Sequence, residues 1–250
     1  MHIRPNRVKQ KISKGEVAVI AMGLTHPDDI DAFGPNNFDG IWLEGEHGWV
    51  DASELGNLTR ACDIWGMTSV ARINANDQGL IYRTLDRGAQ AIVVPHVNTK
   101  EEAKNVVQGG KFAPIGKRGL FTSRQGYGVK DYLLKANDET SLIVLIEDIL
   151  AWENLNEILS VDGIDCFYVA PSDFAASMGH INNINHPDVK SKINDSLNRI
   201  ISSGKIAGTL ANNENVEQFI EMGVRLVSVG IGDWLEEGAK KFQDRVNSVL

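Results

Sequence analysis

Eight short runs of β-branched and aliphatic residues divide this chain, and their number is the feature that most constrains its fold. They are Val17 to Met22, Gly40 to Glu44, Thr68 to Ile73, Ala91 to Val97, Ser141 to Glu147, Ile164 to Ala170, Ile206 to Leu210 and Val224 to Gly230. Longer amphipathic stretches separate them, which is the pattern of βα units around a parallel sheet. Eight such units in 250 residues match the size at which an α/β barrel closes on itself. The sequence therefore predicts a (β/α)8 (TIM) barrel, one domain over residues 1–250, with no linker or low-complexity segment to divide it.

Local signals agree with that order. Asp51-Ala52-Ser53-Glu54 and Asn76-Asp77 read as helix starts, and Thr99-Lys100-Glu101-Glu102 as a capping box. Gly66, Gly88, Gly204 and Gly223 stand just before strands, where helices end in a left-handed residue. Phe112 to Gly128 breaks the rhythm, rich in Gly, Pro and Arg, and a further helix is expected over Val129 to Asn137. The basic segment Met1 to Gly15 reads as a short surface helix leading into the first strand.

Composition narrows the partners. Asp and Glu number 33 against 25 Lys and Arg, a formal charge of -8, which argues against nucleic acid or an anionic membrane and for a small ligand. Apolar runs are too short to span a bilayer. Cys62 and Cys166 fall in a helix and a strand, so no disulfide framework is expected and the chain reads as cytoplasmic.

In a barrel of this kind the C-terminal strand ends build the active site. Strand two ends in Glu44, Glu46 and His47, strand three in Arg72, strand five in Glu147 and Asp148, and strand six runs into Pro171, Ser172 and Asp173. Carboxylates from adjacent strands five and six, without cysteine or clustered histidine, suit a hard cation such as Mg²⁺ or Mn²⁺, with Glu147 and Asp173 as ligand candidates. Taken singly, each residue has a plainer role. Position alone favours Asp173 as a helix N-cap, Glu147 and Arg72 as members of rim ion pairs, and His47 as a hydrogen-bonded rim histidine. Their convergence on one face favours a site. His96 reads as a packed rim residue, and Trp49 as a border of the pocket.

The residues resemble the HpcH/HpaI aldolases, metal-dependent pyruvate aldolases with a (β/α)8 fold. The likeness covers about Val17 to Gly238. It rests on Glu44-Gly45-Glu46-His47-Gly48, Ala71-Arg72-Ile73-Asn74, Leu85-Asp86-Arg87-Gly88-Ala89, Val94-Pro95-His96-Val97-Asn98-Thr99, Gly116-Lys117-Arg118-Gly119, Ile146-Glu147, Val161-Asp162-Gly163-Ile164-Asp165 and Ala170-Pro171-Ser172-Asp173. The resemblance implies that Glu147 and Asp173 bind a divalent metal (Mg²⁺ or Mn²⁺, with Co²⁺ also compatible), that no organic cofactor is used, and that Arg72 contacts the keto oxygen of pyruvate. It implies His47 as the acid/base element, supported by Glu44 and by Asp86, and the backbone around Ala170, Pro171 and Ser172 as the seat of the substrate carboxylate. It further implies a homohexamer in which a C-terminal helix packs on a neighbour and Asp86 acts across the interface. The family pattern has Asp where this chain has Glu44, Gly-Pro-Ala-Asp where it has Ala170-Pro171-Ser172-Asp173, and frequently Met at the position of His96.

Removing a C3 proton from pyruvate needs an electron sink, either a lysine Schiff base or a metal-held enolate. No lysine falls at the C-terminal end of a predicted strand, so the expectation is the second: reversible cleavage of 4-hydroxy-2-oxo acids to pyruvate and an aldehyde, with Glu46 in the outer sphere of the metal through water. Alternatives are another enolate-forming lyase, an oxaloacetate decarboxylase, or a non-catalytic barrel that binds a keto acid. Arg124, Tyr127 and His96 are candidates for the acceptor end. A phosphorylated substrate is disfavoured, because Ala211-Asn212-Asn213 and Gly230-Ile231-Gly232-Asp233 lack basic residues.

Overall fold

The structure is a computed structural model that describes residues 1–48 and 50–249. The elements follow the order α1 (Arg7–Ser13), β1 (Ala18–Met22), α2 (Pro27–Phe33), β2 (Gly40–Glu44), α3 (Leu55–Ile64), β3 (Thr68–Arg72), α4 (Gln78–Asp86), β4 (Ala91–Val94) and α5 (Lys100–Gly110). They continue through α6 (Tyr132–Glu139), β5 (Ser141–Ile146), α7 (Ile149–Glu153), α8 (Leu155–Leu159), β6 (Cys166–Val169), α9 (Pro171–Ser177), α10 (Pro187–Ser202), β7 (Ala207–Leu210), α11 (Val216–Met222), β8 (Leu226–Gly230) and α12 (Ile231–Asn247). All eight strands are parallel, each pairs with its sequence neighbour, and β1 pairs with β8 to close the barrel. The predicted (β/α)8 barrel is the fold.

Side chains alternate along each strand, because successive Cβ atoms point to opposite faces. Ile20, Trp42, Val70, Val93, Leu145 and Tyr168 fill the barrel interior, while Ala21, Ile41, Leu43, Ile92, Val144 and Phe167 pack outward under the helices. This parity decides where the polar strand ends point. Glu44 is two residues beyond Trp42, Arg72 two beyond Val70 and Glu147 two beyond Leu145, so all three continue inward rows and emerge at the mouth.

The N-terminal helix departs from expectation. Val8 and Ile12 are buried and belong to the interior cluster, so α1 closes the bottom of the barrel instead of lying on its surface. The i,i+4 spacing of these two apolar residues is what one face of a helix needs to do this. Asn6, fully buried, caps α1 by accepting the Lys9 N–H and also donates to the Gln90 carbonyl, tying the plug to the start of β4.

Other boundaries shift for local reasons. β4 stops at Val94, short of the expected Val97, because Pro95 has no N–H to donate and His96 takes a left-handed φ of 51°. Asp131, at φ 60°, delays the helix expected from Val129, so α6 begins at Tyr132. The start signals at Asp77 and Thr99 are real caps, Thr99 and Glu102 forming the reciprocal box. Gly66, Gly88, Gly204 and Gly223 all adopt positive φ, as helix ends before strands require.

Among the described residues no helix is long and apolar enough to cross a membrane. Cys62 and Cys166 are both free and buried.

Candidate active site

β2 and β3 pair in register, with Glu44 opposite Arg72. The Glu44 carboxylate accepts Arg72 Nε at 2.8 Å and faces Arg72 Nη2 at 2.6 Å. It also accepts Trp42 Nε1 at 3.1 Å and the backbone N–H groups of Glu46 at 2.8 Å and His47 at 3.1 Å. Burial alone would raise its pKa, but the hydrogen bond from Arg72, the His47 and Glu46 amides and the guanidinium charge outweigh that and hold it below the ordinary glutamate value. Glu44 thus braces the loop after β2 and aims Arg72. It meets His47 through the backbone and not through the imidazole.

The acid beside the imidazole is Glu46, whose Oε2 lies 3.7 Å from His47 Nε2 and 2.8 Å from Arg72 Nη1. The Glu46 side chain is largely covered, at 9% exposure, while the His47 ring projects into solvent. Arg72 therefore stands between two carboxylates. Burial works against its charge, yet Glu44, Glu46 and Glu147 together raise its pKa above the ordinary arginine value. Three of its five N–H groups serve Glu44 and Glu46, leaving two for a ligand.

Glu147 stands one residue past β5, is 1% exposed, and accepts the His96 backbone N–H at 2.7 Å. Burial pushes its pKa up to about 7, the His96 amide and ring oppose this, and the charges of Asp173 and Glu46 add to it. The His96 ring, with Nδ1 3.5 Å from Glu147 Oε1, is its nearest cationic group, and a buried carboxylate with two more carboxylates nearby is an environment that a bound divalent ion satisfies. The oxygen donors of Glu147 and Asp173 fit such an ion.

Asp173 is not the cap that its position suggested. The cap position of α9 is Ala170, with no side-chain cap bond, and Asp173 lies in the first turn. It lines a cavity of about 230 Å³ at the barrel mouth, together with Trp42, Arg72, Tyr168, Ala170, Pro171 and Ser172. Trp42 and Tyr168, with ring centroids 5.4 Å apart, form the floor, and the Tyr168 hydroxyl is fixed by a buried hydrogen bond to Ser228. The strand parity of these two aromatics was the signal for their role.

His96 belongs to the site more firmly than its sequence position suggested. Its Nδ1 is 2.9 Å from Asp148 Oδ2 and its Nε2 4.0 Å from Glu46. Burial lowers its tendency to protonate, but the hydrogen bond to Asp148 and the charge of Glu147 outweigh this and raise its pKa.

Asp86 is not at the mouth of its own barrel. It ends α4, on the side where the strands begin, and pairs with Arg118 Nη2 at 2.7 Å. Arg124 lies on that same side, bound to Asp63 near the end of α3 at 2.6 Å. The chain Phe112 to Gly128 carries it there, so Arg124 does not meet an acceptor in this chain's mouth, and Tyr127, in the same segment, is exposed beside Gly128. The expected role of Trp49 falls outside the described residues.

The profile of the HpcH/HpaI aldolase/citrate lyase family matches residues 19–234. The chain belongs to this family. It is 34% identical over 90% of its length to the hydroxypyruvate/pyruvate aldolase of Deinococcus radiodurans, of which it covers 84%. With the 5-keto-4-deoxy-D-glucarate aldolase of Shigella boydii serotype 18 it shares 33% identity over 90% of each chain. An HpcH/HpaI aldolase/citrate lyase family protein from Burkholderia cenocepacia J2315 superimposes with a TM-score of 0.90 at 27% identity, covering 97% of this chain and 99% of that one.

Proposed function

We propose that this HpcH/HpaI family member is a divalent-metal-dependent aldolase that reversibly cleaves 4-hydroxy-2-oxo acids to pyruvate and an aldehyde. Its class, a carbon–carbon lyase, follows from the aldolase relatives above. The observation that carries the finer reading is the buried Glu147 carboxylate, whose pKa burial and the nearby Asp173 charge raise, with Arg72 lining the same cavity as Asp173.

Glu147 and Asp173 would hold the ion, Mg²⁺ or Mn²⁺ by their oxygen donors, with Glu46 beyond them as an outer hydrogen-bond acceptor. When bound, it supplies Lewis-acid polarisation of the 2-oxo group. The chain's own residues do the rest. Arg72, locked by Glu44 and Glu46, directs its two remaining N–H groups at the C2 oxygen, where negative charge grows as the C3 proton or the C3–C4 bond is lost. The substrate carboxylate lies against Ala170, Pro171 and Ser172, where the first-turn amides of Ser172 and Asp173 have no partner inside the helix. His47 moves the proton at C3 and at the aldol hydroxyl, with Glu46 beside its ring to hold it. Trp42 and Tyr168 exclude water from beneath. In the homo-oligomer implied by the family likeness, Asp86 serves the mouth of a neighbouring chain.

No lysine borders the mouth cavity among the described residues, so the amine needed for a Schiff base is not at hand. The loops at the mouth select the aldehyde, in keeping with relatives named for different keto acids. The deciding experiment is proton NMR of pyruvate in D₂O with purified protein, after chelator treatment and again after adding Mg²⁺ or Mn²⁺. Metal-dependent loss of the methyl signal is expected. No exchange with metal demonstrably bound would overturn the reading.

A further inference from the structure

Outside the mouth cavity, the loop from Met178 to His186 between α9 and α10 brings two imidazoles face to face. His180 and His186 stack with ring centroids 3.7 Å apart and an interplanar angle of 19°. Three backbone bonds build this juxtaposition: His180 N–H to the Ala175 carbonyl at 2.8 Å, Asn183 N–H to the His180 carbonyl at 3.0 Å, and His186 N–H to the Asn183 carbonyl at 3.1 Å. Asp188, in the first turn of α10, completes the group. One ligand atom from each of the three residues lies within 4.8 Å of the other two, and among the described residues this is the one such group of His, Cys, Asp and Glu.

The geometry points to a second metal site, formed by His180, His186 and Asp188, that takes a borderline transition-metal dication such as Zn²⁺, Co²⁺ or Ni²⁺. It is separate from the oxygen-rich site at Glu147 and Asp173. Two imidazoles and one carboxylate prefer these ions to Mg²⁺ or Ca²⁺, with water completing the coordination shell. A tetrahedral ion with bonds near 2 Å spaces its ligand atoms by about 3.3 Å. His186 Nδ1 and Asp188 Oδ2 are 3.8 Å apart, so a modest contraction closes that edge. Stacked rings hold their in-plane lone pairs in nearly parallel planes, so binding one ion also requires His180 to turn out of the stack, a side-chain rotation at a half-buried loop position.

Helix capping accounts for only part of the arrangement. His186 caps α10 by accepting the Asp188 N–H at its Nδ1 at 3.2 Å, a weak bond that coordination through the same nitrogen would replace. The cap of α10 makes no use of the His180 ring, which the turn after α9 sets over His186. It also leaves Asp188 with no cationic partner other than an imidazole among the described residues. A dication held by the three groups would give Asp188 a full counter-charge and tie the end of α9 to the start of α10.

The test counts zinc per chain in the full-length protein after chelator treatment, Zn²⁺ loading with Mg²⁺ present, and removal of free metal. Wild type, His180→Ala and Asp173→Asn are compared, together with His186→Asn, which keeps a capping side chain. His180→Ala and His186→Asn are expected to lose one zinc equivalent that Asp173→Asn retains, and His180→Ala is expected to keep Mg²⁺-dependent pyruvate exchange. Co²⁺ loading should show d–d bands that weaken in His180→Ala. Equal zinc content in wild type and both histidine variants would overturn the second site and leave the aldolase reading untouched. Loss of pyruvate exchange in Asp173→Asn alone bears only on the mouth.

Discussion

Glu44 and Arg72 face each other across the β2–β3 register, and one carboxylate receives the Arg72 Nε and Nη2, the Trp42 indole and two loop amides. A single side chain thereby fixes both the arginine of the site and the path of the chain that carries Glu46 and His47. The pairing gives the loop after β2 its shape and the guanidinium its aim.

Replacing Arg72 with Ala removes the group placed at the developing charge and leaves Glu44 and Glu46 without their counter-ion. Pyruvate C3 exchange should fall by about 10² to 10³-fold, the usual cost of losing a stabilising donor, with stability reduced by about 1–3 kcal/mol. Arg72→Lys should recover stability better than rate, since an ammonium cannot reproduce the bidentate grip on Glu44. Exchange in the Ala variant equal to wild type would remove Arg72 from the mechanism.

Glu44→Ala deletes the acceptor of the Glu46 and His47 amides. Hydrogen–deuterium exchange at those two amides should rise strongly while the amides of β5 stay protected. Unchanged protection at both would mean that the loop holds its shape without Glu44.

Divalent ions should raise the melting temperature of the wild-type protein as the logarithm of their free concentration above the dissociation constant, as any ligand of the native state does. Glu147→Gln and Asp173→Asn should lose that Mg²⁺ or Mn²⁺ response. Thermal scans with chelator and with metal settle the point, and a full response in both variants would move the ion elsewhere.

Ile12 is 3% exposed and closes the barrel floor with Val8. Ile12→Ala should cost about 2–5 kcal/mol of unfolding free energy, read by urea denaturation. Pyruvate exchange in the folded fraction should be unchanged, because the plug and the mouth are at opposite ends.

Lys111 is buried against the Asn137 and Thr140 carbonyls, with Lys9 and Asp165 as its charged neighbours. Burial pushes its pKa down to about 8, Asp165 opposing and Lys9 assisting. The unfolded chain therefore holds the Lys111 proton at pH values where the folded chain has released it. The sign follows from linkage: the stability of wild type relative to Lys111→Met should rise between about pH 8 and the ordinary lysine value of 10.5, by at most about 1.4 kcal/mol per pH unit. Chemical denaturation across that range checks it, and a flat or falling difference would contradict the assignment.

The barrel was legible because parallel strands buried on both faces must be apolar throughout, and eight such runs between helical stretches admit few closures. The acids, arginine and histidine of the mouth were legible for the same reason, as polar residues at strand ends that parity turns inward. The sequence alone thus determined the strand count and which strand ends carry Glu44, Glu46, His47, Arg72, Glu147 and Asp173. Tertiary structure decided which of them touch. That Glu44 grips Arg72 and the His47 backbone while Glu46 stands by the His47 ring depends on strand register and loop course, neither of which a one-dimensional spacing contains. The same holds for Asp86 and Arg124 at the far rim, and for Val8 and Ile12 beneath the floor. Their positions follow from how the barrel closes, because long-range contacts are set by the packing of whole elements and not by local pattern.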